Sequence, residues 1–417
     1  MRVRLEKAQR LYRSKCLGAV LGLAVSLIVS ACGYLSPTAL DLTPQPSSEA
    51  TLQLSPTASS TALAPVESPT LLPSRTASSP VPSPTLPPTP FPVEISVANT
   101  VRLEQQAVVE YPPWDLVTSV AWSPNGEFLA AAAGESIHLY AASTFQSLST
   151  FHTGALTHGL TFSPDSSLLA AGSHDGMVRI WDLGGRAINS DPVLVLEAHK
   201  KGTNCVAFSP DGRWIASGGN DAVVRIWDVK SGERLQQIIG GSYSIPRIAF
   251  TQDGAGLAIA NGPLVRLREV ESGRIADTYR VEPLVEAGAW FYPTLYSLSY
   301  SPDGRYLAAG DHLNQVHIWD LQSQDNPALP ITLAQVADSS LASPLTLVWD
   351  LTYSPDGTLL LSASGAGIRI WDAASGKLLN ILDEQAGVIT SLAFNPSGSI
   401  LASGGLDAAL HLWMVKP

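Results

Sequence analysis

One feature of the sequence limits its fold more than any other: a single unit recurs seven times between residues 117 and 415, at intervals of about 40 to 53 residues. Each copy contains the turn sequence Ser-Pro-Asp-Gly or a variant of it, and four copies end with Ile-Trp-Asp. A repeat of this length cannot bury its apolar residues alone, so neighbouring copies must stack and share a core. The copies are residues 117–141, 156–183, 203–229, 245–270, 295–321, 348–373 and 389–415.

The pattern inside each copy predicts β-strands. Three short apolar runs alternate with polar residues, and the first run ends at the turn sequence. In that turn the proline presets φ, while Asp-Gly supplies a side-chain acceptor and the left-handed position that a tight reversal needs. A fourth strand fits the linkers between copies, for instance residues 147–151 and 235–239. We therefore predict an all-β fold with four antiparallel strands for each copy.

The sequence resembles the WD-repeat family of β-propellers from Val117 to Val415. Tyr140 and Trp413 occupy the tryptophan position of the first and last copies. Copy four departs from the pattern, because Gln252 replaces the turn proline and Arg268 replaces the tryptophan. The resemblance implies a single seven-bladed β-propeller of four-stranded antiparallel blades. The Ile-Trp-Asp motifs that carry the resemblance are residues 180–182, 226–228, 318–320 and 370–372.

The resemblance also implies a structural hydrogen-bond relay of four side chains within a blade. Copy three has all four residues, namely His199, Ser217, Asp221 and Trp227. The family uses such residues to satisfy buried polar groups, so we expect a structural role and not a catalytic triad. Two further copies keep part of the set: copy two has His152, Asp175 and Trp181 with Ala171 at the serine position, and copy seven has Ser403, Asp407 and Trp413 with Gln385 at the histidine position.

Copy seven leaves no residues for a fourth strand, because its third strand ends at about Val415. An unpaired edge of this kind is a template for aggregation. The segment Thr100 to Val109 precedes copy one and alternates apolar with polar residues. We predict that it pairs antiparallel with the third strand of copy seven, near Leu410 to Trp413, and closes the ring.

The amino terminus is typical of a secretory leader. Six basic residues within residues 1–15 precede an uncharged apolar stretch at 16–31. Val29-Ser30-Ala31-Cys32 resembles the lipobox of bacterial lipoproteins. We therefore expect a lipoprotein signal peptide at 1–31 and a lipid on Cys32, which places the protein in the bacterial cell envelope, membrane-anchored and extracytoplasmic. An ordinary cleavage site or an uncleaved anchor is the alternative, and both also place the chain outside the cytoplasm.

Residues 32–93 are expected to form a disordered tether, and residues 94–417 the propeller. Within residues 36–93, 34 of the 58 residues are Ser, Thr or Pro and four are charged, a composition that cannot form a core. Its proline runs favour polyproline II, so the tether is a semi-rigid spacer. A proline-rich ligand for an aromatic groove is the alternative function of this segment.

Composition excludes several classes of function. The net charge is −11, so the basic footprint of a nucleic-acid-binding protein is absent. Three cysteines, at 16, 32 and 205, and eight scattered histidines provide no metal-site spacing. No nucleophile elbow and no phosphate loop is found. We expect no cofactor, no metal and no catalytic activity.

Binding remains, and the resemblance implies which face would carry it. Loops that join one blade to the next emerge on the face that WD-repeat proteins most often use, and three of these loops are aromatic. We predict a non-catalytic protein-protein interaction scaffold whose protein partners are unknown. The alternatives are a propeller that binds or processes a small molecule or glycan in its central mouth, and a sensor ectodomain. Trp114 and Trp349 could instead plug the channel, and the Trp290 loop could pack on its own blade. The predicted partner-binding residues are Trp114, Trp290, Phe291, Tyr292, Trp349, His174 and Asn220.

Overall fold

A computed structural model of the protein describes residues 93–185, 188–286, 289–323, 330–334, 347–365, 367–383, 385 and 387–416. The predicted signal peptide, Cys32 and all of the predicted tether except Val93 lie outside the described residues. In the described part of the chain, no helix is long and apolar enough to span a membrane.

The protein is a β-propeller of seven blades, each a four-stranded antiparallel sheet. This confirms the predicted fold class. From inner to outer strand, blade 1 is Val117–Trp122, Phe128–Ala133, Ser136–Ala141 and Ser147–His152; blade 2 is Thr157–Phe162, Leu168–Ser173, Met177–Asp182 and Leu194–Glu197; blade 3 is Thr203–Phe208, Trp214–Gly219, Val223–Asp228 and Arg234–Ile239.

The other blades follow the same order. Blade 4 is Ile248–Phe250, Gly256–Asn261, Leu264–Glu269 and Ile275–Arg280; blade 5 is Leu295–Tyr300, Tyr306–Asp311, Gln315–Asp320 and Ile331–Ala334; blade 6 is Asp350–Tyr353, Leu359–Ser364, Gly367–Asp372 and Leu378–Leu382; blade 7 is Ile389–Phe394, Leu401–Gly405, Ala409–Val415 and, as its outer strand, Leu103–Glu110. Each inner strand contacts the inner strand of the next blade, and blade 7 contacts blade 1, so the ring is complete.

The core lies between consecutive blades. Trp181 of blade 2 packs on Phe151 of blade 1 with ring centroids 5.1 Å apart, and both side chains are fully buried. The second strands are sandwiched on both faces, which explains why residues 129–133 read Leu followed by four alanines, all of them fully buried. Burying each large apolar side chain contributes about 1.5–3 kcal/mol, and the repeated unit makes this contribution at every blade interface.

The turn sequence forms the lower face of the ring. We use lower face for the turns that join inner to second and third to outer strands, and upper face for the remaining turns and loops. In blade 3 the Ser209 hydroxyl donates to Asp211 Oδ1 at 2.6 Å, and the same oxygen accepts from the Arg213 backbone N–H at 3.1 Å. Gly212 has φ 70°, a conformation that glycine adopts without strain.

The first strand of the described residues closes the ring. Leu103–Glu110 pairs antiparallel with Ala409–Val415, with Leu103 opposite Val415 and Glu110 opposite Ala409. The predicted closure is therefore confirmed, although the strand begins at Leu103 because Thr100–Arg102 forms a 3-10 turn. Upstream, the Ile95 N–H donates to the Gly398 carbonyl at 2.9 Å, and Ile95 is 1% exposed. Gly398 belongs to a lower-face turn, so the described chain begins on the lower face.

Copy four forms a complete blade despite its departures, but its inner strand has only three residues, Ile248–Phe250. Arg268, at the tryptophan position, donates to the Gly273 carbonyl at 3.0 Å. After blade 4, Leu284–Glu286 and Ala289–Phe291 form a two-stranded hairpin in the loop that leads to blade 5. The sequence patterns did not predict this hairpin.

Candidate partner-binding face and central channel

The exposed aromatic side chains lie on the upper face. Among the described residues, the large aromatics that are highly exposed are Trp114 at 64%, Tyr292 at 61% and Tyr243 at 45%. All three lie in loops that join the outer strand of one blade to the inner strand of the next. Tyr243 was not among the predicted binding residues. Its position directly after the fourth strand of copy three could have identified it.

These aromatics share a face, but they do not form one patch. Trp114 lies between blades 7 and 1, and Tyr292 lies between blades 4 and 5, on the opposite side of the ring. Tyr243 and Tyr292 flank the same upper-face turn of blade 4. A Cβ added at Gly262 would lie 2.7 Å from the Tyr243 ring, and the Leu295 N–H, three residues after Tyr292, donates to the Gly262 carbonyl at 2.9 Å. The blade 4 rim is therefore the more continuous aromatic surface.

Three other predicted aromatics differ in their surroundings. Trp349 is half-buried and packs on an apolar cluster from blades 1 and 7 that includes Leu116 and Leu406. Its indole N–H is buried without a hydrogen-bond partner. These contacts favour the channel-plug alternative for Trp349. Trp290 and Phe291 lie in the hairpin strand Ala289–Phe291, and their side chains are outside the described part of the structure.

His174 and Asn220 both lie in upper-face turns. His174 is exposed, and its ring centroid lies 6.1 Å from that of His158. Asn220 instead holds two loops together, since its Nδ2 donates to the Lys201 carbonyl at 3.1 Å and its Oδ1 accepts from Asn204 Nδ2 at 2.8 Å. The Asn220 amide is therefore already engaged within the protein.

The four relay residues of copy three are hydrogen-bonded in sequence within blade 3. His199 Nδ1 lies 2.8 Å from Asp221 Oδ1, His199 Nε2 lies 2.9 Å from Ser217 Oγ, and the Trp227 indole N–H donates to Ser217 Oγ at 3.2 Å. Burial lowers the pKa of His199, and Asp221 offsets part of that shift. Because Ser217 is fully buried inside the blade, it cannot reach a substrate, and the geometry is that of a structural network.

Blade 7 builds the same relay with Gln385 in place of histidine. Ser403 Oγ donates to Gln385 Oε1 at 2.7 Å, and the Trp413 indole N–H donates to Ser403 Oγ at 2.8 Å. Gln385 Nε2 lies 3.4 Å from Asp407 Oδ1. The glutamine amide therefore supplies both an acceptor and a donor, as a neutral imidazole does.

The partial relay expected in copy two is wrong. His152 is exposed and its Nδ1 pairs with Ser136 Oγ at 3.0 Å, so it does not reach Asp175. Thr153 occupies the place that corresponds to His199, four residues before the inner strand. The error is one of register, because the side chains of adjacent residues in an extended chain point to opposite sides. Trp181 instead donates to the Ser190 carbonyl at 3.0 Å.

The sequence patterns did not predict that a basic side chain of the third strand would pair with an aspartate in several blades. In blades 2, 3 and 7 a basic side chain on the third strand, two residues before the tryptophan, contacts the aspartate of the upper-face turn. In blade 5 the histidine at the same position contacts Asp311, the last residue of the second strand. A shared position in every copy is the signal that could have revealed it. The pairs are Arg179–Asp175 at 2.6 Å, Arg225–Asp221 at 2.8 Å, His317–Asp311 at 2.9 Å and His411–Asp407 at 2.8 Å.

An ion pair joins two inner-strand positions that hold small residues in the other copies. Position three of the inner-strand segment is Ser119, Gly159, Cys205, Ser297 and Ser391 in five copies, but Arg247 in copy four and Asp350 in copy six. Arg247 Nη2 lies 3.1 Å from Asp350 Oδ1, so the pair joins blade 4 to blade 6. Burial raises the pKa of the Cys205 thiol to about 12, which makes it unreactive at neutral pH. In the described part of the chain no group of three metal-ligating side chains is found.

Comparison with known proteins agrees with this geometry. A family model described as WD domain, G-beta repeat matches residues 108–140, 145–182, 190–228, 292–320, 340–372 and 376–414, together just over half of the chain. The interval 229–291, which is not matched, contains the outer strand of blade 3 and all of blade 4, whose sequence departs from the motif.

Similar proteins are found in bacteria, fungi and animals. An uncharacterized WD repeat-containing protein of Synechocystis is 30% identical over 29% of this chain and 44% of its own length. Nuclear distribution protein PAC1 of Arthroderma otae is 26% identical over 61% of this chain and 58% of its own. WD repeat and SOCS box-containing protein 1 of Mus musculus is 30% identical over 27% of this chain and 25% of its own length. Each match spans less than two thirds of the relative.

Proposed function

Because this chain belongs to the WD-repeat family of β-propellers, we propose that it is a membrane-anchored, extracytoplasmic scaffold that binds protein partners on its upper face and catalyses no reaction. WD-repeat propellers bind protein partners in general. One observation carries the choice of face: Trp114, Tyr243 and Tyr292 are the highly exposed large aromatics of the described chain, and all lie on the upper face.

The position of Ile95 supports the same arrangement. The described chain begins on the lower face, where Ile95 is held by Gly398. A lipid on Cys32, followed by the tether at 32–93, would therefore join the propeller at 94–417 from the side opposite the aromatic loops. The basic leader and the lipobox are the sequence features that support the anchor.

Substitutions in the aromatic loops test the proposed face. Tyr243→Ala and Tyr292→Ala should each weaken capture of a partner from membrane extracts by about 1 kcal/mol or more, because aromatic side chains dominate interface energetics. Ile275→Ala is the matched control, since this outer-strand side chain is also exposed, at 52%, but lies away from the upper-face loops. Capture is measured by quantitative cross-linking with the full chain, and melting temperature is recorded for each variant.

The outcome separates binding from packing. Weaker capture with an unchanged melting temperature supports the face. Equal losses of both would mean that these tyrosines stabilise the fold, and unchanged capture would exclude the blade 4 rim as the partner surface.

A further inference from the structure

Arg247 is the one large basic residue at position three of the inner-strand segments, where five other copies carry Ser, Gly or Cys. Its side chain extends from blade 4 to Asp350 of blade 6, past blade 5. An arginine is not needed to complete the sheet, because the other blades do without one. The arrangement calls for a physical reason.

Asp350 fixes the arginine but is itself fully engaged. Its Oδ2 accepts from Ser391 Oγ at 3.0 Å and from the Leu392 backbone N–H at 2.9 Å. Its Oδ1 accepts from Arg247 Nη2 and from the Leu351 N–H, both at 3.1 Å. The carboxylate side chain is only 12% exposed. Asp350 therefore holds one edge of the guanidinium and has no oxygen left for a ligand.

The remaining edge of Arg247 is unoccupied. A guanidinium has five N–H donors in a rigid fork, and the bond to Asp350 is the only one that Arg247 makes among the described residues. Its side chain is 21% exposed, so the other donors reach the channel. A planar fork with free N–H groups in a partly desolvated site matches a carboxylate or phosphate, which accept two parallel hydrogen bonds.

Two imidazoles of blade 2 lie near one another. His158 of blade 2 makes no side-chain hydrogen bond among the described residues, and its ring lies 6.1 Å from that of His174. Burial lowers the pKa of His158 to about 4, and His174 and Arg247 contribute smaller shifts in the same direction. The charged groups that act on His158 are thus basic, and the nearby Cys205 thiol is neutral. An anion placed between them would meet no negative charge from these groups.

From this geometry we propose that the upper mouth of the central channel binds an oxyanion, the carboxylate or phosphate group of a ligand, with Arg247 as the main donor and His158 and His174 as additional donors. The site goes beyond the proposed scaffold function and depends neither on the anchor nor on Tyr243 and Tyr292.

Calorimetric titration of the full chain with inorganic phosphate and with acetate tests the site, with chloride at matched ionic strength as the screening control. We expect saturable binding of at least one oxyanion. The double variant Arg247→Gln/Asp350→Asn removes the ion pair without leaving a buried charge, and should weaken binding about tenfold or more. The matched control, Arg305→Gln/Asp320→Asn, removes a lower-face Arg–Asp pair with a 2.7 Å contact and should keep the wild-type affinity.

A second readout uses proton uptake. Acetate binding should be tighter at about pH 5.5 than at about pH 7.5, because a bound anion raises the pKa of His158, and His158→Asn should reduce that pH dependence. Tighter binding of phosphate than acetate would identify a phosphate ligand, and the reverse a carboxylate. The proposal is overturned if neither oxyanion saturates the protein, or if the channel double variant, folded by circular dichroism, binds as well as the wild type. If no partner is captured on the upper face while the protein still binds the oxyanion, that result would count against the scaffold proposal alone.

Discussion

The closing segment of the ring gives the sharpest test of how this propeller is held together. Ile95 and Leu103 are 1% and 5% exposed, and both pack in the cluster that contains Trp413 and Leu359. Replacing either with alanine should lower the free energy of unfolding by about 2–5 kcal/mol, through lost burial and the cavity that remains. Val101→Ala is the matched control. Val101 lies between them in sequence but is 74% exposed, so its cost should stay within about 0.5 kcal/mol.

Deleting residues 94–110 should have a much larger effect. It removes the buried side chains of Ile95, Leu103 and Val109, each worth about 1.5–3 kcal/mol. The sum, roughly 5–9 kcal/mol, is comparable with the whole stability of a typical domain. It also leaves Ala409–Val415 as an unpaired edge that can recruit another chain. We expect loss of the cooperative transition and formation of oligomers.

Urea denaturation followed by tryptophan fluorescence, with size-exclusion chromatography, measures both effects. Deleting residues 36–90 instead should leave the melting temperature unchanged. If Ile95→Ala and Leu103→Ala cost no more than Val101→Ala, or if the chain that lacks residues 94–110 still unfolds cooperatively as a monomer, the terminal strand does not stabilise the ring and the reasoning fails.

Three further predictions follow from other parts of the chain. Cys32→Ser should shift the protein from the detergent phase to the aqueous phase and remove the lipid mass seen by intact-mass analysis, whereas an unchanged partition would contradict lipidation. Burial and His152 lower the pKa of His138 to about 4, so below pH 6.5 the unfolded chain binds the proton more readily than the folded chain does. The free energy of unfolding should therefore fall as the pH decreases from about 6.5 to 4, by up to about 3 kcal/mol for this residue. Urea denaturation across that pH range should show a smaller fall for His138→Gln. Ser217→Ala should cost about 1–3 kcal/mol by leaving the Trp227 indole N–H without an acceptor, compared with almost nothing for the exposed Ser242→Ala; equal costs would argue against the relay.

Local patterns predicted what depends on local chemistry. The turn sequence and the alternation predict the blade, and the alternation of Thr100 to Val109 predicts the closing strand because a propeller edge needs a partner. The pairing of Arg247 with Asp350 could not be predicted in this way, since it joins residues 103 positions apart whose meeting depends on the assembled ring. Comparison of the copies position by position nevertheless exposes both residues as exceptions.

The solvent exposure of the loop side chains was the property that the sequence predicted least well. Trp114 and Trp349 both lie in loops that enter a blade, yet Trp114 is 64% exposed and Trp349 packs on residues of two other blades. The difference comes from neighbours supplied by distant parts of the chain. His152 and Thr153 illustrate the second limit, because a shift of one residue in an extended segment exchanges the inward and outward side chains.

The pairing of the first strand with the last sets the order of events during synthesis. Glu110 cannot pair before Ala409 has been synthesised, about 300 residues later. Synthesis of the intervening residues takes roughly 15–60 s at ribosomal speeds of 5–20 residues per second. Until then blade 7 has no outer strand and the growing chain is an open arc with an exposed edge at each end. Such non-local pairing is slow to form and leaves strands open to aggregation. The propeller can thus acquire its native closure only after Ala409–Val415 is available, so a chain that stops before blade 7 remains an arc that cannot close.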